Sequence, residues 1–328
     1  DNLSAIGTVL KGSCHQSAPT ITVAAPPTNT IATAKVNTTD NTIEIANHGF
    51  RTGTQLTYND GTGSAITNIT VDGTGAGTVF VIAKETTDSG TTFGDLTANT
   101  FALATSLSNA QSGTAINLGS TGNATQTLTG VTATATATVS GGRVTKIAIT
   151  GVGSAYTSAP TVTLAAPTTE TIDGDNTDKV IVADDEIVVS AGFYGNITTG
   201  DPVTYADGGG TAIGGLTTAT GYFLIKSDTT NRISLATTAA EAIAGTKITI
   251  SGVGGGSSHT LIGQTPTATA TLGLGTPGSD VGGREIAHVG WVKKTIGTGG
   301  RAGRVFYETL VAASSISGDS EDLVTPDS

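Results

Sequence analysis

Hydrophobic and polar positions alternate with a period of two in short stretches along most of the chain. Examples are "TITVAA" (20–25), "IEIAN" (43–47), "TATATATV" (132–139), "KIAITGV" (146–152), "TVTLAA" (161–166), "EIVVSA" (186–191) and "KITISGV" (247–253). Each is rich in Thr, Val and Ile and is bounded by Gly, Asn or Asp, which predicts half-buried strands separated by turns. The glycine-containing turns "NDGTG" (59–63), "ADGGG" (206–210) and "VSGGR" (139–143) suit hairpins and bulged loops that need positive φ. Only "SLSNAQ" (106–111) and "TAAEAIAG" (238–245) have the makings of a helical turn or two. The pattern predicts an all-β protein.

The same pattern is written twice. "GSCHQSAPTITVAAP" (12–26) returns as "GSAYTSAPTVTLAAP" (153–167), with Gly12, Pro19 and Pro26 each 141 positions before Gly153, Pro160 and Pro167. "TGTQLTYNDGTGSAI" from Thr52 matches "TGDPVTYADGGGTAI" from Thr199, and "QTLTG" (126–130) matches "HTLIG" (259–263). The first copy carries extra residues near "NITVDGTGAGT" and "ETTDSGTTFG"; the second carries four extra around "YGNI", just after Phe193. Loops vary while strand segments persist, as expected for one β-module used twice. Tyr58 and Tyr205 are expected at equivalent buried positions.

Between the modules, residues 132–167 read as three strands: one through Val139, a turn at Gly141-Gly142, a second over Val144–Thr150 and a third over Thr161–Leu164. The third strand resembles the opening line of the chain, and the first, "TATAT", returns at Thr267–Thr271. Residues 12–26 are therefore expected beside the "TATAT" strand near 270, in a second copy of the small sheet, with "WVKKTIG" supplying the remaining strand. The reading is of two tandem copies of a small β-sandwich or barrel-like module joined by a short three-stranded β unit, with a C-terminal β-hairpin region and an acidic tail. Its segments are an N-terminal arm and strand (1–30), the first module (31–130), a connector sheet (131–168), the second module (169–263) and a C-terminal segment (264–328).

Composition narrows the function classes. Charged residues are 12% and aromatics 4% of the 328 residues, with 46 glycines and no methionine. Backbone hydrogen bonding and β-branched packing must then contribute much of the stability. A net charge of −11 is a poor footprint for nucleic acid, which needs clustered Lys and Arg. No apolar run is long enough to suggest a membrane span. The opening "DNLSAIGTVLKGS" has neither a basic nor a long apolar region, so no signal peptide is expected.

Candidate chemistry is sparse. His15, His48, His259 and His288 lack a partner at metal-ligand spacing, and Cys14 is the only cysteine. Cys14 and His15 read as ordinary strand residues on opposite faces; their counterparts are Ala155 and Tyr156. "DGDNTD" (Asp173–Asp178) has the acidic density of a calcium loop but not the Gly and distal Glu of an EF-hand. "GTGGRAG" (297–303) lacks the Lys-Ser/Thr of a phosphate loop and reads as a hairpin turn. Asp184-Asp185 carry no catalytic geometry. No catalytic, cofactor or metal residue is assigned, and no enzyme activity is expected.

"GGRVTKIAITGVGSAYTSAPTVTL" (141–164) resembles a β-motif of phage tail-fibre and other virion proteins. "HVGWVKKTIGTGGRAGRVFYETLVA" (288–312) is similar to an ending of virion structural proteins of large contractile-tailed marine cyanophages. The resemblance implies a virion protein decorating or stabilising the outer capsid surface. Its implied partners are the major capsid protein, other virion proteins and copies of itself, without nucleic acid or membrane. A tail, neck or host-binding fibre protein is the alternative. A carbohydrate-active enzyme is disfavoured, since sugar chemistry calls for paired acids in an aromatic-lined groove and the chain has one Trp.

Overall fold

A computed structural model describes residues 2–83 and 96–273 in full, and the backbone of 290–295 and 305–310. The chain divides into two compact units, Asp1–Gly275 and Thr276–Ser328. In the first unit, β1 (Asn2–Leu10) and β2 (Ile21–Val23) precede module one. That module comprises β3 (Thr28–Thr30), β4 (Val36–Asn37), β5 (Thr42–Glu44), β6 (Gln55–Asn59), β7 (Ala76–Ile82), β8 (Thr100–Ala104), α1 (Leu107–Gln111) and β9 (Thr127–Gly130). Next come β10 (Thr134–Ser140), β11 (Arg143–Gly151) and β12 (Val162–Leu164). Module two comprises β13 (Glu170–Ile172), β14 (Val180–Ile181), β15 (Glu186–Val188), α2 (Ala191–Gly195), β16 (Pro202–Ala206), β17 (Thr220–Lys226), β18 (Arg232–Ala236), α3 (Ala239–Ala244) and β19 (His259–Gly263). The unit closes with β20 (Thr267–Gly273).

Both modules are seven-stranded antiparallel sheets curled into half-barrels. Their strand orders are β3-β9-β6-β7-β8-β5-β4 and β13-β19-β16-β17-β18-β15-β14, the same order twice. The alternation is the cause. In β6 it turns Leu56 and Tyr58 inward, and in β16 Val203 and Tyr205, leaving Thr57 and Thr204 outside the core. Module one packs Ile31, Ile43, Phe101, Leu103 and Leu128 around Tyr58. Module two packs Ile187, Phe193, Leu224, Ile233 and Leu261 around Tyr205. Both tyrosines are fully buried, and each contributes roughly 1.5–3 kcal/mol by leaving water.

The helices follow local signals. Ser106 caps α1 by accepting from the Asn109 N–H, and Thr238 with Glu241 forms a full capping box on α3. The four residues that module two gains near "YGNI" run through the end of a third short helix, α2, capped by Ser190 and anchored by the buried Phe193.

Between the modules lie three two-stranded ladders, β1–β20, β10–β11 and β2–β12. Here the partners differ from those the sequence suggests. The third strand does not join its hairpin: β12 pairs antiparallel with β2, its own counterpart, with Thr163 opposite Thr22. The strand paired with "TATAT" at 267–273 is β1 rather than residues 12–26. Residues 2–10 correspond, 141 positions on, to β11, and they complete with β20 the ladder that β10 and β11 form directly. The closely matched line begins only at Gly12, so residues 2–10 carry no comparably clear repeat signal. The physical reason for the β2–β12 pairing is register. Equivalent strands meeting antiparallel about Thr22 and Thr163 satisfy each other's backbone groups and need no third segment.

The unit thus has an internal two-fold, and its hydrogen bonds come in matched pairs. The Leu3 N–H donates to Val152 O at 2.8 Å and, 141 positions on, the Val144 N–H donates to Lys11 O at 2.9 Å. The Ala24 and Ala165 N–H groups donate to Thr161 O and Thr20 O, each at 2.9 Å. In the second unit, β21 (Gly290–Thr295) and β22 (Val305–Leu310) form an antiparallel ladder, Gly290 opposite Leu310 and Thr295 opposite Val305. The turn sequence between them, 297–303, and His288 lie outside the described residues.

Candidate functional site

The most elaborated place in the molecule is the joint where two connectors, 12–26 and 153–167, cross between modules. Each connector docks on the module of the other repeat. Ser13 Oγ donates to Pro202 O on β16 at 2.7 Å and accepts from the Gln264 N–H at 2.7 Å. Its counterpart Ser154 donates to Gln55 O on β6 and accepts from the Val131 N–H at 2.8 Å. Next along each connector, Cys14 enters the core of module two and Ala155 that of module one. Both adopt left-handed backbone, φ 60° and 59°, a conformation that costs a non-glycine residue free energy and is held here by surrounding packing. What receives them is a glycine on β19 or β9. A Cβ on Gly263 would sit 2.3 Å from Ser13 O and 2.7 Å from Cys14 Cβ; on Gly130 it would sit 2.2 Å from Ser154 O.

Cys14 and His15 are therefore not strand residues, as the sequence reading has them, but parts of a buried turn. Burial pushes the Cys14 thiol up to about 12, with the Ser13 hydrogen bond and Arg143 opposing and Asp201 adding to the rise. A thiol held protonated in this way is a packing group rather than a nucleophile. His15 is 2% exposed, its N–H donates to Gly142 O at 2.9 Å, and its Nε2 has no hydrogen-bond partner. Desolvation lowers its pKa. Its counterpart Tyr156 is better served: the phenol accepts from the Ala133 N–H at 2.9 Å and donates to Ala24 O at 3.1 Å.

One clamp has no two-fold mate. Arg143, at the β10–β11 turn, donates from Nε at 2.9 Å and also from Nη2 to Oδ1 of the fully buried Asp201. Asp201 Oδ2 accepts from the Thr198 N–H at 2.8 Å, so both carboxylate oxygens are satisfied. The positions related by the repeat are Asn2 and Thr54, which form no such pair. Beside it, Gly142 abuts Asn196, at the end of α2, so closely that a Cβ would lie 1.8 Å from its carbonyl. The second-copy insertion thus seats the internal hairpin on module two.

The remaining residues weighed from sequence are dispersed. His259 opens β19 inside module two, where its Nδ1 meets the Tyr205 hydroxyl at 2.6 Å, while that hydroxyl accepts from the Ile213 N–H at 2.9 Å. Its Nε2 faces Gly255 O at 3.3 Å, which places the ring proton there. In module one, Gln126 holds the same place against Tyr58, at 2.9 Å. His48 packs against Phe50 and Phe101, and desolvation lowers its pKa. Asp173 to Asp178 form a turn in which Asn176 Oδ1 accepts from the Asp178 N–H at 2.8 Å. Asp185, at φ 55°, accepts from the Ile250 N–H at 2.7 Å, and Asp184 lies 3.4 Å from Arg232. Among the described residues, no three His, Cys, Asp or Glu side chains are grouped to hold a metal ion, and no helix is long and apolar enough to cross a membrane.

Sequence reasoning missed Ser13, Ser154, Arg143 and Asp201. The serines were legible in principle as the invariant second residue of the repeated "GS" line; the ion pair, present in one copy only, had no repeat signal. No family model, no curated protein and no solved structure matches this chain.

Proposed function

We propose that this chain is a non-enzymatic structural protein of a phage virion that decorates or stabilises the outer capsid surface, with the major capsid protein and copies of itself as partners. The observation that supports this reading is the internal two-fold. One chain presents two like modules held at a fixed relation by crossed connectors and by the β2–β12 ladder. A rigid two-module body engages two equivalent sites at once, so that the second contact is intramolecular and gains affinity without new chemistry. A shell of repeated subunits offers such paired sites. The polar interior supports the same reading, since Tyr205–His259, Tyr58–Gln126 and Arg143–Asp201 fasten strands to one another.

Cryo-electron microscopy of the intact particle tests this. Density for two seven-stranded modules on the capsid exterior is the expected result. Density in the neck, tail or fibres would move the protein to that part of the particle, and absence from purified particles would refute the virion reading.

A further inference from the structure

We propose that residues 2–23 are an exchangeable arm, able to complete the same joint in a second copy of this chain and so to link copies together. This inference rests on the joint and not on the virion reading.

The two ladders at the joint are alike in pairing but not in closure. β10 and β11 are joined by the two-residue turn Gly141-Gly142. No turn joins β1 to β20: Ser4 Oγ and Thr271 O, hydrogen-bonded at 2.9 Å, are 267 positions apart. Among the described residues, the contacts that hold the arm are non-covalent and lie outside module one, into which the arm runs. β1 lies along β20, Ser13 and Cys14 lodge in module two, and β2 pairs with β12. An arm from a second copy therefore meets the same set of donors, acceptors and apolar partners. Exchange costs no contact, and concentration decides between the closed and linked forms.

The chain already carries out this exchange with itself, since each connector docks on the module of the other repeat. The hinge sits at Ala25-Pro26-Pro27, just past the Ala24 N–H that bonds Thr161 O, and its two prolines hold it extended and offer no backbone N–H to a ladder. The grip of β1 is also modest. Of its nine residues only Leu3 is buried, and Val9 is 68% exposed. The occupant of the vacated joint is thus a second copy of the same arm, and a reciprocal swap gives a closed two-fold dimer.

The register supplies the test. Gly7 and Thr269 are opposite and exposed, and a Cβ on Gly7 would lie 4.0 Å from Thr269 Oγ1. In full-length chains carrying Cys14→Ala, the residue that the other connector has, single Gly7→Cys and Thr269→Cys variants are unfolded together, refolded and oxidised. The expected product at about millimolar chain is a disulfide-linked dimer containing one of each variant, falling at least about tenfold on hundredfold dilution. The Gly7→Cys/Thr269→Cys double variant, refolded dilute, cross-links within one chain and establishes the register. Folding of every variant is checked by an unchanged circular dichroism spectrum and melting temperature. The proposal is overturned if the double variant closes while the mixed pair gives no cross-link at any concentration. It is also overturned if like-with-like dimers form as abundantly as mixed ones, which means random collision, or if the folded double variant does not close.

Discussion

Removing one oxygen atom from the core of module two is the sharpest test of how this fold is held. In Tyr205→Phe the ring stays, so packing is nearly unchanged, but two buried partners lose their hydrogen bond: the Ile213 N–H at 2.9 Å and His259 Nδ1 at 2.6 Å. Tyr205 and His259 are both 0% exposed, so water does not readily replace the hydroxyl. Leaving a buried donor or acceptor unsatisfied costs about 1–3 kcal/mol. Two such groups bring the expected loss to about 3 kcal/mol. For a compact unit of this size that lowers the melting midpoint by about 6 °C, at about 2 °C per kcal/mol. Urea unfolding should show a lower midpoint at an unchanged slope, since the surface exposed is the same. His259→Gln, which installs the partner that Tyr58 has in module one, should cost well under the tyrosine variant. Combining Tyr205→Phe with His259→Leu should cost less than the sum of the two, because they remove one shared bond. A Tyr205→Phe protein within about 0.5 kcal/mol of the parent would refute the reasoning and mean that the hydroxyl is solvated.

Cys14 should resist a thiol reagent at pH 8 in the folded protein and react at once in denaturant, because burial raises its pKa to about 12; prompt labelling of the native chain would show the connector undocked. His15 and His48 both have pKa values lowered by desolvation, so the unfolded chain binds protons more readily than the folded one. Their neutral forms support stability above the unfolded pKa near 6.5, and that support is lost as pH falls from there toward the folded values. Urea midpoints at pH 7.5 and 5.5 should therefore converge in His15→Tyr, the residue the second connector carries at Tyr156, if His48 is also made Phe. Arg143→Ala leaves the fully buried Asp201 without its cation and should cost about 3 kcal/mol, whereas Lys35→Ala at the half-exposed Glu44 should cost under about 1 kcal/mol; equal losses in thermal melts would contradict the burial argument.

The modules were legible because their information is local and written twice. Alternation in "QLTYN" and "PVTYA" names the inward face, and the matched anchors from Thr52/Thr199 to Leu128/Leu261 locate equivalent strands; both helical stretches singled out, 106–111 and 238–245, contain helices. Even the burial of Tyr58 and Tyr205 followed from position alone. The helix at 191–195 was not foreseen, because "AGFYG" has weak helical preference and is held by the Ser190 cap and by Phe193 buried among the strands.

The joint was decided otherwise. Sequence establishes that a strand such as Ile21–Val23 needs a neighbour, since its backbone groups must be paired, but any strand of matching length satisfies that demand equally. The choice among β20, β12 and the "WVKKT" strand depends on which segment the rest of the fold delivers there. Gly263 admits Cys14, Asp201 holds Arg143, and the crossed connectors bring Thr22 opposite Thr163. Local alternation determined what each segment is; the partner of each was left to tertiary structure, because a strand's backbone carries no address.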